Sequence, residues 1–385
     1  MPPDDEKPRA EGLARFLLAV VMLLAPCVYV GRLTLAEPET SPRPERPLWA
    51  NTLLLTVGRW PTPARLPEGP NFAELASGGI EIAGVYAASD QPGPAAVSLL
   101  TGRFRLNHGV DGPERALPPG AWTLASAALE SGARTAAFLQ ADYVGRHGIA
   151  GFETTREDPA AELSTLAREA ADWLAEHAGE RRFLWLHAER AGPQGAELEA
   201  ALGTLWGRLG ERQEQFQTLT LFTALAGPQR PEPDLGLRVP VRIKLPNNVN
   251  ARRRAEVLLS QVDLAGTLRD LLRLPGPSLA RGQAPLQSRS RSGYQALEGA
   301  ELKEPLWIDG TFGSLARWPD VRILARPTTP GAAPALEFFS LPRWNVGPES
   351  AQPLPEAERR PAEDRFWRLR GSLLEGATSG LPSGG

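Results

Sequence analysis

The chain has 385 residues, which is enough for one large domain or for one domain with a smaller appendage. Its hydrophobic share of 42% and charged share of 23% are those of a globular protein. The formal net charge of -3 argues against nucleic acid as a partner, which would favour a basic face. Cys27 is the only cysteine and the four histidines are scattered, so no internal disulfide and no thiolate metal site can form. The composition predicts no cofactor.

The N-terminus carries an uncharged hydrophobic segment, residues 16–30 (FLLAVVMLLAPCVYV). A membrane-spanning helix needs about 20 apolar residues, and the segment reaches that length over 13–35, with an arginine near each end. A cleaved signal peptide within 1–36 is the alternative, because its apolar region is about 7–15 residues long. In both cases we expect a membrane-anchored or exported protein with its main domain on the extracytoplasmic side. The Pro-rich residues 37–47 predict a linker.

From residue 48 onward the sequence alternates between strand and helix patterns. Residues 52–57 (TLLLTV) form a continuous apolar run, as expected for a strand that is buried on both faces of a parallel sheet. Further strands are predicted over 80–88, 135–139, 183–187, 219–223 and 239–243, and helices over 71–77, 94–100, 121–130, 158–177, 197–213 and 261–272. Strands separated by such helices imply right-handed crossovers. We therefore predict an α/β domain over 48–274, with a mostly parallel sheet flanked by helices.

The C-terminal part has a different character. Its connector, residues 275–293, is rich in Pro, Ser and Arg. Short strand-like pieces follow at 306–309, 321–325 and 336–340, and then a helix around 362–374. This pattern predicts a C-terminal subdomain over 275–378, made of a small antiparallel sheet and one helix, followed by a disordered tail over 379–385.

A series of short segments carries a resemblance to a known family. The segments are 51–57 (NTLLLTV), 70–76 (PNFAELA), 86–89 (YAAS), 98–103 (SLLTGR), 108–110 (HGV), 132–138 (GARTAAF), 218–223 (TLTLFT), 236–240 (GLRVP) and 260–272 (SQVDLAGTLRDLL). In this order they resemble the sulfatase family of the alkaline-phosphatase superfamily, over about residues 48–375. The resemblance implies a sulfatase-like fold and the hydrolysis of sulfate or phosphate esters at a divalent cation.

The resemblance also implies where metal ligands should stand. The family holds its cation with an Asp-Asp pair after the first strand and an Asp-His or Asp-Asn pair after the strand at 218–223. A hard cation requires several such oxygen ligands. Carried over by position, the first pair falls on Gly58 and Arg59, and the second pair falls on Leu225 and Ala226. The sequence therefore predicts that this chain holds no metal.

The nucleophile is replaced in the same comparison. The family uses a cysteine or serine in a Cys/Ser-x-Pro-x-Arg signature, and lysine, histidine and arginine stabilise the charge of the transition state. The nucleophile falls on Pro92 and the signature arginine on Ala96, while the signature proline is kept as Pro94. The family's lysine before the 236–240 segment falls near Gln229, and the only cation close to it is Arg230.

Two functions are compatible with these replacements. The first is a catalytically inactive, sulfatase-like protein that binds or scaffolds a protein partner near the membrane, since a fold does not fix a function. The second is a sulfuric or phosphoric ester hydrolase of altered, metal-independent chemistry, in which Arg59 and Arg230 hold an anionic substrate. The sequence predicts that His187 ends a strand at the edge where α/β sheets keep their ligands, so it is a candidate pocket residue, with a structural histidine as the alternative. His108 is a second candidate pocket residue, with a turn histidine as the alternative.

Overall fold

The computed structural model describes most of the chain beyond residue 50, namely residues 51–60, 66–190, 195–228, 237–276, 306–310, 313–317, 321–326, 328, 333–340 and 352–378. The predicted anchor at 13–35, the linker, the tail and Arg230 lie outside these described residues. Within them, no helix combines the length and the apolar composition that crossing a membrane requires.

An eight-stranded sheet organises the first part of the described chain. Its strands are β1 (Asn51–Arg59), β2 (Ile80–Tyr86), β3 (Arg134–Leu139), β4 (Thr154–Glu157), β5 (Arg182–Arg190), β6 (Thr218–Ala226), β7 (Val241–Lys244) and β8 (Arg254–Ser260). They are ordered β4-β3-β5-β1-β6-β7-β2-β8. Only β7 runs antiparallel to its neighbours, so the mostly parallel sheet predicted from the sequence is confirmed.

Strand β1 lies at the centre of this sheet, between β5 and β6. All of its residues are buried except Arg59, which is partly buried, and this explains the unbroken apolar run in its sequence. Arg59 pairs in register with Arg190 on β5 and with Ala226 on β6. The ends of the three parallel strands therefore form one continuous rim, here called the carboxyl edge (residues 57–59, 188–190 and 224–226).

Helices cover the sheet and are bounded by local capping groups. They are α1 (Pro70–Gly78), α2 (Pro92–Thr101), α3 (Arg105–His108), α4 (Leu124–Glu130), α5 (Tyr143–His147), α6 (Leu163–Glu176), α7 (Ala196–Gly210) and α8 (Gln261–Leu271). Helix α2 begins with a proline, is buried from Gly93 to its end, and stops at Gly102, whose φ of 65° only glycine adopts easily. Helix α2 is thus the innermost helix, and its first turn follows the carboxyl end of β2.

A second, antiparallel sheet of five strands forms the C-terminal part, in the order β13-β12-β11-β10-β9. Its strands are β9 (Leu306–Gly310), β10 (Gly313–Arg317), β11 (Val321–Arg326), β12 (Ala335–Ser340) and β13 (Gln352–Pro353), and helix α9 (Glu356–Thr378) follows them. Trp307 on β9 packs against Phe366 on α9, with ring centroids 5.2 Å apart. The predicted small sheet with one helix is confirmed.

The structure differs from the sequence prediction at several boundaries. The helix predicted from 121 begins at Leu124, because Thr123 caps it by accepting a hydrogen bond from the Ser126 amide. The helix predicted from 158 begins at Leu163, because the Asp158 carboxylate accepts from the Ala160 amide and holds a turn there. Strand β4 is partly exposed and polar and strand β8 begins with an arginine, so neither shows the apolar run by which the other strands were predicted.

Candidate functional site at the carboxyl edge

The fold brings together the four positions to which the resemblance assigns metal ligands. Gly58 and Arg59 end β1, and Leu225 and Ala226 end the adjacent β6. Leu225 and Ala226 are fully buried, and the Ala226 carbonyl accepts a hydrogen bond from the Trp60 amide at 3.1 Å. At the end of β6, where the resemblance expects an acidic pair, the side chains are therefore apolar, and the Ala226 carbonyl is already hydrogen-bonded.

Gly58 has no space for a side chain. A Cβ atom at this position would lie 2.6 Å from the carbonyl oxygen of Glu189 and 3.1 Å from its Oε2. Real Cβ atoms do not approach a backbone oxygen so closely, and the backbone of β5 cannot move away without breaking its pairing with β1. The neighbouring strand therefore excludes a carboxylate at Gly58.

Arg59 reaches from β1 toward the segment that precedes helix α2. Its Nη2 donates a hydrogen bond of 2.7 Å to the carbonyl oxygen of Asp90. Its positive charge also acts on Glu189, lowering the pKa of that carboxyl group. The hydrogen bond thus joins the end of β1 to the main chain after β2.

A chain of side-chain hydrogen bonds links β1, β5 and helix α5 near this edge. Trp185 Nε1 donates to Thr56 Oγ1 at 2.8 Å, and Thr56 Oγ1 is 2.8 Å from His187 Nδ1. His187 Nε2 is 3.1 Å from Glu189 Oε2, to which the Tyr143 hydroxyl also donates at 2.7 Å. An ionised carboxylate can only accept, so His187 carries its proton on Nε2 and accepts the Thr56 hydroxyl proton at Nδ1. Every polar group of this chain is therefore satisfied by one consistent tautomer.

Burial and hydrogen bonding set the charges of this chain. Burial alone would raise the pKa of Glu189, but the hydrogen bonds from His187 and Tyr143, with the positive charge of Arg59, outweigh it and lower the pKa. Burial lowers the pKa of His187 despite the adjacent carboxylate. Burial and the charge of Glu189 raise the pKa of the Tyr143 hydroxyl. At neutral pH the cluster therefore contains anionic Glu189, neutral His187 and protonated Tyr143.

Gln261 connects the end of β6 with the segment after β2. Its Nε2 donates to the carbonyl oxygens of Ala224 at 2.6 Å and Leu225 at 3.2 Å. Its Oε1 accepts from the Ala88 amide at 3.0 Å. Gln261 is fully buried at the start of α8. The sequence gives no signal for this role, because a glutamine at the first position of a helix is normally exposed.

His108 performs a structural role away from this rim. Its Nδ1 accepts from the Val110 amide at 3.0 Å, so its Nε2 carries the proton and donates to Ser98 Oγ at 2.9 Å. Burial, together with the nearby charges of Arg103, Arg105 and His147, lowers the pKa of His108 to about 3. The neutral ring joins the end of α3 to α2, and both nitrogens are occupied.

His147 is a further residue that the sequence did not suggest. Its Nδ1 is 2.9 Å from the carbonyl oxygen of Arg115, to which it donates. A Cβ atom on Gly93 would lie 2.6 Å from His147 Nε2, so this ring packs directly on the first turn of α2. It also stacks on Tyr143, with ring centroids 6.1 Å apart. His147 thereby fixes α5, which carries Tyr143, against α2.

The arrangement matches solved structures over most of its length. A phosphonate monoester hydrolase of Agrobacterium radiobacter aligns with a TM-score of 0.65 at 16% identity, over 86% of this chain and 96% of that one. A phosphonate monoester hydrolase from Silicibacter pomeroyi aligns with 0.68 at 14%, over 84% and 95%. A structure solved with its substrate D-glucosamine-2-N,6-O-disulfate aligns with 0.65 at 12%, over 87% and 99%. No family model and no curated protein matches the chain.

The matched structures are sulfatases and phosphonate monoester hydrolases of the alkaline-phosphatase superfamily. The chain has the sulfatase fold. At identities of 12–16% the likeness concerns the fold, and it confirms the resemblance carried by the short sequence segments. The roles of individual edge residues depend on the geometry of this chain and stay predictions.

The divalent cation implied by the sulfatase fold does not fit the residues at the carboxyl edge. In the part of the chain that the structure describes, no three His, Cys, Asp or Glu residues are grouped to hold a metal ion. A hard cation needs several oxygen ligands, whereas this rim offers one carboxylate, Glu189, which is already bonded to His187 and Tyr143. The guanidinium of Arg59 would repel a second cation nearby.

The resemblance assigns the nucleophile to Pro92 and the signature arginine to Ala96. Pro92 opens helix α2, and Ala96 is fully buried within it. Neither side chain can attack an ester or bind an anion. Ser89 is the nearest hydroxyl in sequence, but it is fully buried, and its Oγ accepts from the Gln91 amide at 3.2 Å and so holds the turn before the helix.

Proposed function

We propose that this chain is a catalytically inactive, sulfatase-like protein that serves as a binding or scaffolding module. The observation that carries the proposal is the contact at Gly58, where the carbonyl oxygen of Glu189 lies 2.6 Å from the position of a Cβ atom. If only the side chain had changed, replacing Gly58 with aspartate would restore the ligand. The contact with the Glu189 backbone means that such a side chain would not fit unless β5 moved. The contact supports the proposal, because a ligand-bearing side chain at Gly58 would require the backbone of β5 to move.

The remaining edge residues support the same proposal. Leu225 and Ala226 supply no ligand atoms, and Pro92 supplies no nucleophile. The titratable groups at the edge are hydrogen-bonded to each other, since Glu189 accepts from both His187 and Tyr143. An active hydrolase needs groups that are free to bind substrate and exchange protons, whereas these groups stabilise the fold.

An ester hydrolase of altered chemistry is the second candidate, and the geometry favours it less. It requires Arg59 to hold an anionic substrate, yet Arg59 already donates to the Asp90 carbonyl. Binding an anion there would require the guanidinium to leave this acceptor or to share its donors with it. Arg230, the second arginine of this hypothesis, lies outside the described residues.

Metal analysis and an activity assay of the full-length chain test the proposal. We expect no stoichiometric Ca²⁺, Mg²⁺ or Mn²⁺ in the isolated protein, no heat of binding when these ions are titrated in, and no release of p-nitrophenol from its sulfate, phosphate or phosphonate monoesters. An active sulfatase handled in parallel provides the positive control. A tightly held cation together with turnover of any of the three esters would refute the proposal.

We also propose that residues 13–35 attach the protein to a membrane, that its main domain lies on the extracytoplasmic side and that it meets its protein partner there. The support is the uncharged run at 16–30, followed by a Pro-rich linker. Alkaline extraction of membranes should leave the full-length chain in the pellet, and a protease added outside should digest the main domain. Mass spectrometry of the mature N-terminus separates an anchor from a cleaved signal peptide. A full-length chain found in the cytosolic fraction would contradict the proposal.

A further inference from the structure

The opposite edge of the sheet, the amino edge at which the parallel strands β1, β5 and β6 begin, carries the loop that joins β7 to β8. In this loop Asn247, Asn248, Asn250 and Arg252 have φ values between 54° and 60°. Residues other than glycine adopt this left-handed region rarely, and such backbone is often kept where it serves a site. Within this uncommon conformation the apolar side chain of Val249 is 42% exposed.

A second exposed apolar side chain lies in the turn beside this loop. Strands β6 and β7 pair in antiparallel register, so the chain before β6 and the chain after β7 leave the sheet at the same end. The turn Glu214–Gln217 before β6 accordingly lies beside the turn Pro246–Asn248 after β7. Phe216 in the first of these turns is 46% exposed. Two of the three large hydrophobic residues that are exposed in the described part of the chain, Phe216 and Val249, thus belong to neighbouring segments.

Three consecutive arginines follow in the same loop. Arg252, Arg253 and Arg254 are all exposed. The Arg252 amide donates to the Gly79 carbonyl at 2.9 Å, and the Glu81 amide donates to the Arg253 carbonyl at 2.9 Å, so the main chain fixes them beside the start of β2. Arg254 pairs with Glu81 at 3.5 Å and stays 56% exposed. In a chain with a net charge of -3, the loop is a local concentration of positive charge.

The chain enters the domain from its N-terminal segment at this same edge. Strand β1 begins at Asn51, which pairs in register with Thr218, two residues after Phe216. Residues 36–50, which include the Pro-rich linker, are the 15 residues that join the proposed anchor at 13–35 to β1. A Pro-rich chain of that length spans at most about 45–50 Å. An anchored chain therefore keeps the amino edge within that distance of the bilayer, where a weak contact is strengthened by a high effective concentration.

We propose that Phe216, Val249 and the three arginines at 252–254 form a docking surface that holds the anchored domain against a bilayer containing anionic lipid. The two apolar side chains enter the headgroup region, and the guanidinium groups bind lipid phosphates, a combination that attaches peripheral segments to anionic membranes. The inference rests on the proposed membrane attachment. Docking by the amino edge turns the carboxyl edge away from the bilayer, where a protein partner can reach it.

Fluorescence quenching by lipid, measured on the full-length chain in vesicles, tests the docking. Cys27→Ser removes the native thiol, and Val249→Cys is labelled with an environment-sensitive dye. The vesicles are made of phosphatidylcholine alone or with added phosphatidylglycerol, and they contain a spin-labelled lipid as the quencher. Ser164→Cys carries the control dye, because Ser164 is exposed in the first turn of α6, which follows the carboxyl end of β4.

We expect the lipid to quench the loop dye in anionic vesicles, to quench it much less in vesicles of phosphatidylcholine alone, and to leave the control dye unquenched in both. Arg252→Gln combined with Arg253→Gln should lower the docking equilibrium constant, calculated from the quenched fraction, by roughly tenfold, because two charges near the lipid surface are lost. Arg115→Gln combined with Arg168→Gln removes two exposed arginines elsewhere on the domain and should leave the constant unchanged.

Two results would overturn the inference while leaving the proposed function intact: equal quenching of the loop dye in both lipid compositions, or no quenching in either while the vesicles retain the chain. Shielding of the loop dye by a co-purified acidic protein instead of by lipid would assign the surface to a protein and overturn the inference as well. A chain that neither type of vesicle retains would refute the proposed membrane attachment and the inference together.

Hydrogen exchange of the unlabelled full-length chain decides if the labelled variant does not fold. Docking should slow the exchange of the amides at 247–254 in anionic vesicles and leave it unchanged in vesicles of phosphatidylcholine alone. Amides in the first turn of α6 provide the internal control, since that turn follows the carboxyl end of β4. Exchange at 247–254 that is the same in both lipid compositions would contradict the inference.

Discussion

The two edges of the central sheet each hold an arginine, and the two side chains are bound in different ways. At the amino edge Arg182 is 1% exposed, and it donates to Asn51 Oδ1 at 2.9 Å and to Glu214 Oε2 at 2.5 Å. At the carboxyl edge Arg59 is partly buried and donates to the main chain at Asp90. The amino edge, where the parallel strands begin at Asn51, Arg182 and Thr218, therefore contains a buried ion pair. The charged side chain of Arg59 at the carboxyl edge is only partly buried.

The difference shows which edge can still interact with other molecules. Ligands of open α/β sheets bind outside the carboxyl ends of the strands, and this is where Glu189 remains 42% exposed. In the Arg182 pair at the amino edge the side chains are only 1% and 17% exposed. A protein of this fold that is catalytically inactive, as we propose, therefore keeps an accessible surface at the carboxyl edge, and a binding module needs such a surface.

The largest effect is expected at the amino edge, for Arg182→Met. The change leaves Glu214 and Asn51 without their buried partner, and breaking a buried pair from one side costs about 3–5 kcal/mol. We expect the free energy of unfolding, measured by denaturant titration, to fall by about 3 kcal/mol, since Glu214 is 17% exposed. Arg156→Met is the control, because its ion pairs with Asp158 and Glu169 are exposed. Equal losses in both variants would show that burial does not distinguish the two arginines.

Thr56→Val tests the hydrogen-bond chain below the carboxyl edge. The substitution keeps the shape of a fully buried side chain but removes the acceptor of Trp185 Nε1 and the donor to His187 Nδ1. Leaving a buried group unsatisfied costs about 1–3 kcal/mol, and at the lower end of that range for two groups we expect a loss of about 2 kcal/mol in the free energy of unfolding. Thr56→Ser keeps the hydroxyl and should lose much less. If both variants lost the same amount, the methyl group would be the cause and the chain would be irrelevant to stability.

The sequence predicts those helices and strands whose apolar residues recur at a regular spacing or form a continuous run. Strand β1 is such a run because it is buried on both faces, and its neighbours β5 and β6 share this pattern. The edge strand β4 is half exposed and polar, so its sequence resembles a loop. The order of the resembling segments predicted the sulfatase fold, which no single segment could have done.

The candidate site was predictable only in part. The positions Gly58 and Arg59 follow from their place at the end of β1, and His187 was singled out as the predicted end of a strand, although β5 continues to Arg190. The fully buried state of His187 and its bonds to Thr56 and Glu189 depend on the register of β1 against β5, which no local pattern encodes. The missing space at Gly58 likewise comes from the backbone of another strand. Contacts between side chains on neighbouring strands can be identified only when the pairing of the strands is known.

Gly58→Ala tests the lack of space that supports the proposed function. The added methyl group would lie 2.6 Å from a backbone oxygen that the β-sheet pairing fixes, and forced overpacking costs about 1–3 kcal/mol. We expect that loss in the free energy of unfolding. Gly207→Ala is the control, since its Cβ would meet no atom within 4 Å and it lies inside helix α7, where alanine is favoured. A Gly58→Ala variant as stable as the wild type would show that the edge can open to accept a side chain.

The smallest effect is expected from acid at the carboxyl edge. The pKa of Glu189 lies below its ordinary value of 4.5 in the folded chain, so its ionised form stabilises the fold above that pH. This contribution is lost as the pH falls through the folded pKa. The difference in unfolding free energy between wild type and Glu189→Gln should therefore be constant from about pH 6 to 8 and shrink below about pH 4.5. Solvent screening keeps it small, because the side chain is 42% exposed. The exposed Glu130→Gln variant serves as the control, and a Glu189 difference that stayed constant down to about pH 3 would show that the cluster does not depend on the Glu189 charge.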